Sequence, residues 1–140
     1  MKLSRQPGIE YEPETGFQYV KKSADLGDTE GKICLGLIYY QGIGVNRDLE
    51  KAIPLLEFGT QNGSTECEYC LGMINLNGYG GRKDPMKGLD MIKRSANKQN
   101  ASAMTQLGVM YLKGENVEKN TIEGMKYLKN GADAGNGLAL

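Results

Sequence analysis

Cys67-Glu68-Tyr69-Cys70 is where residue type and spacing come closest to chemistry, because C-x-x-C is the spacing of a redox-active thiol pair. That chemistry needs a βαβ setting with the first cysteine at a helix N-terminus. Here the segment lies inside a helical stretch, and Cys67 occupies a slot reserved for small residues. The two thiols therefore read as small buried hydrophobes. Gly42-Ile43-Gly44 and Gly78-Tyr79-Gly80-Gly81 resemble phosphate-cradling loops. A nucleotide fingerprint requires a preceding strand, and a helical pattern precedes both, so they read as left-handed caps and inter-helix loops. The chain has no histidine at all, which removes the Ser-His-Asp and Cys-His arrangements and the commonest transition-metal ligand. No carboxylate pair stands out for general acid–base or glycosidase work. Most acids sit at caps or first turns, as in Asp28-Thr29-Glu30, where they favour the helix dipole. Lys21, Lys22 and Lys51 read as solvated helix faces. The residues point away from an enzyme and call for no cofactor and no metal.

The elements that carry these residues follow from an internal repeat. Leu35-Gly36, Leu71-Gly72 and Leu107-Gly108 recur every 36 residues, as do Gly42, Gly78 and Gly114. Helix-capping chemistry keeps the same step. Asp28, Ser64, Asn100 and Asn136 form one series of N-cap types, and Asp48, Asp84 and Asn120 form a second. Gly27, Gly63 and Gly135 stand just before three members of the first series, where the preceding helix is expected to end in a left-handed residue. Gln99 breaks that rule, so its junction is expected to be strained or differently turned. Pro85 after Asp84, and Pro13 after Glu12, suit first-turn positions. Asn120 with Glu123 reads as a capping-box variant.

Each unit is thus a helix A, a loop, a helix B and a tight glycine turn. Helices A are expected over 29–41, 65–77 and 101–113. Helices B are expected over 13–26, 49–62, 85–98 and 121–134. Leu35, Ile38 and Tyr39, then Ile53, Leu55 and Leu56, supply apolar residues at helical spacing. Small residues repeat as Gly31, Cys67, Ala103 and Ala139, and as Gly59, Ser95 and Gly131. They allow close helix approach and account for the 20 glycines. The expected organisation is an N-terminal arm over 1–12 and one domain over 13–140. That domain holds a leading helix 13–27, repeats 28–63, 64–99 and 100–135, and a partial helix 136–140.

This pattern resembles the Sel-1-like repeat (SLR) family, an α/α solenoid related to tetratricopeptide repeats. Leu35, Gly36, Tyr39, Gly42, Gly44, Val45, Asp48, Lys51 and Ala52 carry the resemblance in the first unit. The second unit departs at Asn75, Gly81 and Gly88, and the third at Asn116, Glu123 and Gly124. These departures are expected to loosen the loops and small-residue contacts there. The resemblance covers about residues 13–140 and implies an all-α, right-handed superhelix of antiparallel helix pairs. It also implies a non-catalytic adaptor that binds another protein through a concave surface. Some secreted members of the family are stapled by disulfides at a regular spacing, which Cys34, Cys67 and Cys70 do not reproduce. Cys34 and Cys70 are repeat equivalents on stacked helices ~8–10 Å apart, beyond the ~7 Å at which a disulfide can join Cα atoms. All three thiols are therefore expected to be free.

If helices A line the inner curve, the rows facing it are Ile33/Tyr69/Thr105, Leu37/Met73/Val109 and Tyr40/Leu76/Leu112. Such an apolar stripe, rimmed by Glu30/Glu66/Ser102 and Gln41/Asn77/Lys113, would form a peptide or helix groove. Ile33, Leu37, Tyr40, Tyr69, Met73, Leu76, Val109 and Leu112 are its expected partner-binding residues. The middle row reads equally as core between helices A and B. A toxin-neutralising inhibitor or immunity protein, or a fragment of a longer array, would fit the same pattern.

Charge and composition narrow the partner class. Seventeen basic residues balance seventeen acidic ones, which leaves no electrostatic footprint for nucleic acid or an anionic membrane. Hydrophobic residues at 39% and charged residues at 24% fit a globular chain. No apolar stretch reaches the ~20 residues of a membrane span. Met1 to Pro7 has no apolar run behind its charges, so no secretory signal is read and a cytoplasmic location is expected. A secreted or periplasmic mature form stays open. The last helix B, with Ile122, Met125, Tyr127 and Leu128, lacks a following neighbour. Weak self-association at that end, or a continuation of the chain, is expected.

Overall fold

The periodic cap residues do what their spacing requires. The computed structural model describes residues 12–79 and 83–135, which form seven α-helices and no strand. Helices A are α2 (Thr29–Gln41), α4 (Thr65–Asn77) and α6 (Ala101–Lys113). Helices B are α1 (Pro13–Asp25), α3 (Leu49–Gln61), α5 (Pro85–Asn97) and α7 (Thr121–Gly135). Every helix starts where the period puts it. Asn136, Ala139 and the partial helix 136–140, most of the N-terminal arm, and Gly80 and Gly81 lie outside the described residues.

At the start of each helix A a side-chain oxygen accepts a backbone N–H three residues on. Asp28 accepts from Gly31 at 2.9 Å, Ser64 from Cys67 at 3.2 Å and Asn100 from Ala103 at 2.9 Å. Helices B repeat the device, with Asp48 on Lys51, Asp84 on Lys87 and Asn120 on Glu123 at 3.1–3.2 Å. Each such cap satisfies an N–H that the helix itself cannot, contributing about 1 kcal/mol. Of the capping box expected at Asn120 and Glu123, the half in which Asn120 accepts the Glu123 N–H forms, and the reciprocal half is replaced by a different closure. The Asn120 backbone N–H donates to the Tyr111 carbonyl at 2.9 Å. Asp48 donates likewise to Tyr39, and Asp84 to Asn75, so every A–B loop is pinned to the last turn of its helix A.

Helices A end on left-handed Gly42, Gly78 and Gly114, as their spacing implied. Helices B end on left-handed Gly27 and Gly63, but Gly135 differs from expectation: it has no positive φ and remains inside α7. Gln99 holds the same turn as its glycine counterparts, with φ at 70° and Asn100 N–H on the Ser95 carbonyl at 3.1 Å. The turn is conserved in shape and the strain falls on the glutamine. Gln99→Gly should therefore stabilise the protein by roughly 0.5–1 kcal/mol, since a left-handed residue with a Cβ costs about 1–2 kcal/mol and glycine returns part of that in chain entropy. Urea unfolding would check this; an unchanged or lower midpoint would show the turn to be unstrained.

The chain divides into two compact units, Met1–Gly59 and Thr60–Leu140, near the end of α3. In the first, α1 packs on α2, where Gly31 sits against Ser23 and Ala24, and Gly36 sits against Leu55 of α3. In the second, α4 packs on α5, α5 on α6, and α6 on α7, with α4 and α6 also in contact. Its core is Leu76, Ile92, Ala96, Ala103, Met104, Leu107 and Met110. Gly88 and Gly124 correct one expectation, because they tighten their helix pairs rather than loosen them. A Cβ on Gly88 would lie 2.6 Å from the Gly72 carbonyl oxygen, and one on Gly124 would lie 2.9 Å from that of Gly108. Helices that close have room only for glycine.

Candidate functional site

Helix periodicity alone gives three apolar rows along helices A, and packing separates them. In the first unit, Ile33, Leu37 and Tyr40 of α2 are half-buried, and Tyr40 carries the Arg47 guanidinium over its ring at 5.4 Å. In the second unit, Tyr69, Met73, Val109 and Leu112 are half-buried, whereas Leu76 is only 9% exposed and belongs to the core. Leu76 backs onto Gly88 and Leu112 onto Gly124, so the Leu76/Leu112 row serves the packing of helix B on helix A. That leaves Tyr69/Thr105 and Met73/Val109 as the rows with free surface in this unit. Tyr69 and Thr105 meet at an open depression of about 340 Å³ lined also by Ala101, Ser102, Gln106 and Gly131. Burial, then the neighbouring Cys70 and Glu66, raises the Tyr69 phenol above its ordinary pKa. Its hydroxyl remains a neutral donor and acceptor at physiological pH.

The C-x-x-C pair is placed for packing. Cys67 and Cys70 are buried in α4, at 0% and 1% exposure, while Cys34 is exposed. Burial, reinforced by Glu66 and Cys67, pushes the Cys70 thiol far above its ordinary pKa, the reverse of what a nucleophilic thiol needs. Alkylation of the native protein near pH 8 should modify Cys34 alone, and unfolding in denaturant should release all three thiols. Labelling of two or more native thiols would contradict this burial. The linkage sign is fixed too: the folded thiol keeps its proton where the unfolded one loses it. Stability from this group is present below about pH 8.5 and declines as the pH rises above it.

Two features escaped the sequence reading. Glu68, given no role of its own in the sequence, is 3% exposed. Its carboxylate accepts from Arg94 Nε at 3.0 Å and from Lys98 Nζ at 3.3 Å, and Arg94 also reaches Asp90 at 3.2 Å. Its repeat counterparts are Lys32, which lies over the Phe58 ring at 4.9 Å, and the buried Met104. The α4–α5 pair therefore uses an ion pair where α2–α3 uses a cation–π contact. The signal available was that one residue in a small, regular family of positions changes chemical type. The second feature is an open hollow beside Tyr111, which appears only once α5 and the α6–α7 loop are assembled. Among the described residues no cluster of three or more His, Cys, Asp or Glu is placed to hold a metal. No described helix is long and apolar enough to cross a membrane.

Comparison with known proteins places these helix pairs in a family. The pattern of the Sel1 repeat matches residues 2–28, 35–64, 65–100 and 101–136. Among solved structures, a protective antigen of uropathogenic Escherichia coli displaying an SLR fold is 32% identical with a TM-score of 0.72, over 91% of this chain and 28% of that one. A Sel1 repeat protein from Oxalobacter formigenes is 27% identical with a TM-score of 0.70, over 91% of this chain and 52% of its own. The present chain thus spans about a quarter and about half of these two proteins. No curated protein matches the sequence.

Proposed function

Because this chain belongs to the Sel1 repeat family, whose members are generally protein-interaction scaffolds rather than catalysts, we propose that it binds a partner protein through the open face of α4 and α6 in its second unit. The occupant is an extended peptide or an amphipathic helix. The observation that carries this reading is the pair of rows in the second unit that keep free surface, with Tyr69, Met73 and Val109 half-buried and Thr105 exposed. Tyr69 and Met73 on α4 stand beside Thr105 and Val109 on α6, two helices in contact. Isolated apolar side chains on a surface mean little, whereas aligned rows on touching helices make a patch. Tyrosine contributes area with a polar tip, and methionine adapts its shape to the partner. The chemistry of the rest supports a scaffold: no histidine, a buried Cys70 thiol held protonated, and acids such as Asp28 and Glu68 engaged as a cap and in an ion pair.

Thr105→Asp with Val109→Asp puts two charges on this face, at an exposed position that borders Gly131 of α7 and a half-buried one, neither of them in the core cluster. The double variant should weaken the partner by about 2 kcal/mol or more if these positions border a hot spot, with helicity and melting temperature kept. Retained binding by a folded double variant would move the interface elsewhere. Leu76 is left out of this test, because a charge at a core position would report unfolding instead of binding.

A further inference from the structure

Tyr111 borders an open hollow of about 480 Å³ between α5 and the α6–α7 loop, wholly within the second unit. Two differences between equivalent repeat positions account for it. In the first unit Phe17 of α1 stands edge-on to Tyr39 of α2, with ring centroids 5.7 Å apart and planes at 74°. Two periods on, the place of Phe17 is taken by the smaller Leu89. Tyr111, the counterpart of Tyr39, turns its ring to stack on Tyr127 at 5.8 Å. The loop differs as well. A Cβ on Gly44 would overlap the carbonyl of Pro13, so in the first unit the loop closes onto the start of the preceding helix B. Asn116 stands at the position of Gly44 and keeps its left-handed backbone, with φ at 65°. Having a Cβ, it cannot approach the helix as Gly44 does, and the loop stands off.

The hollow is charged at its rim. Lys93 and Lys119 line it, with Glu118 as the opposing charge. The counterpart of Lys93 in α1 is Lys21, which pairs with Asp25 at 3.2 Å. The counterpart of Asp25 in α5 is Asn97, and neither Lys93 nor Lys119 has an ion-pair partner among the described residues. We propose that this hollow receives an aromatic side chain from a partner's peptide segment, edge-on to Tyr111 as Phe17 is to Tyr39, with an adjacent carboxylate held by Lys93 and Lys119. The first unit displays the fit internally, and the two unpaired ammonium groups set the charge of the neighbouring residue. This site is separate from the helix-A face and does not depend on it.

The test is a chemical-shift titration of the isotopically labelled full chain with three capped tripeptides, Glu-Phe-Glu, Glu-Ala-Glu and Lys-Phe-Lys. Glu-Phe-Glu should shift the Leu89, Tyr111 and Val117 resonances and bind at least tenfold tighter than the other two. Leu89→Phe fills the hollow from within and should weaken Glu-Phe-Glu at least tenfold. Lys93→Gln, a change at an exposed position that leaves the fold intact, should weaken it several-fold and lower its salt dependence. Thr105→Asp with Val109→Asp should leave this binding unchanged, which separates failure here from failure of the helix-A reading. Equal affinity for the three peptides, shifts mapping elsewhere, or full binding by folded Leu89→Phe and Lys93→Gln would each overturn the proposal.

Discussion

Removing Arg94 and Lys98 together, as the double alanine variant, is expected to destabilise the protein by about 3 kcal/mol, because it strands a buried carboxylate. The two cations are half exposed, at 54% and 56%, while the Glu68 side chain is 5% exposed, so the cost falls on Glu68. The low end of the usual range for a broken buried pair applies, since water reaches the cationic side and screens it. The repeat supplies its own control. Met104 occupies the equivalent position at 2% exposure, so the site accepts an unbranched apolar side chain. Adding Glu68→Met to the double variant is expected to restore most of the lost stability, because a buried pair is often replaceable by apolar residues of similar volume. Urea unfolding of the double and triple variants reads both steps. A double variant as stable as the parent would mean that Glu68 is hydrated or otherwise satisfied. A triple variant no better than the double would mean that the cations act through their own packing.

Gly88→Ala is expected to cost about 2 kcal/mol, within the usual range for overpacking a close contact. A Cβ there would meet the Gly72 carbonyl oxygen at 2.6 Å and the Leu76 nitrogen at 2.7 Å. Both are backbone atoms, so relief requires α4 and α5 to separate. Alanine's better helix propensity, worth about 1 kcal/mol over glycine, offsets only part of the loss. The comparison is Ala52, the same repeat position in α3, where the natural residue already is alanine and is fully buried. Thermal and urea unfolding should show the loss at 88, and a neutral or stabilising result would place the two helices farther apart than described.

The helices were legible because their ends are chemical. Asp28, Ser64 and Asn100 announce three starts, and Gly42, Gly78 and Gly114 three stops, each through hydrogen bonds within a few residues. The Gln99 turn was legible as an irregularity, although its direction was not. Local sequence says that glutamine dislikes φ near 70°, and only the packed chain says that the turn is kept regardless. The candidate face was half legible. Residues 69, 73, 76, 105, 109 and 112 share one periodicity, and whether a row faces a neighbouring helix B or stays open depends on what stands opposite. Gly88 and Gly124 decide that for Leu76 and Leu112 by letting helix B come close. The role of Glu68 was not legible, because its partners lie 26 and 30 residues away. The hollow beside Tyr111 was invisible for the same reason, being an absence created by Leu89 and Asn116 on two separate elements.

The central claim is that a partner docks on the open face of α4 and α6, and site-specific photocrosslinking tests it most directly. A benzoylphenylalanine at Thr105 stands beside Tyr69 on that face, and the same group at Lys129 stands exposed on α7, turned away from Gly131, which borders the depression. Irradiation in native extract should join the partner to the chain from position 105 and not from position 129. Crosslinks from 129 with none from 105 would contradict docking on the helix-A face.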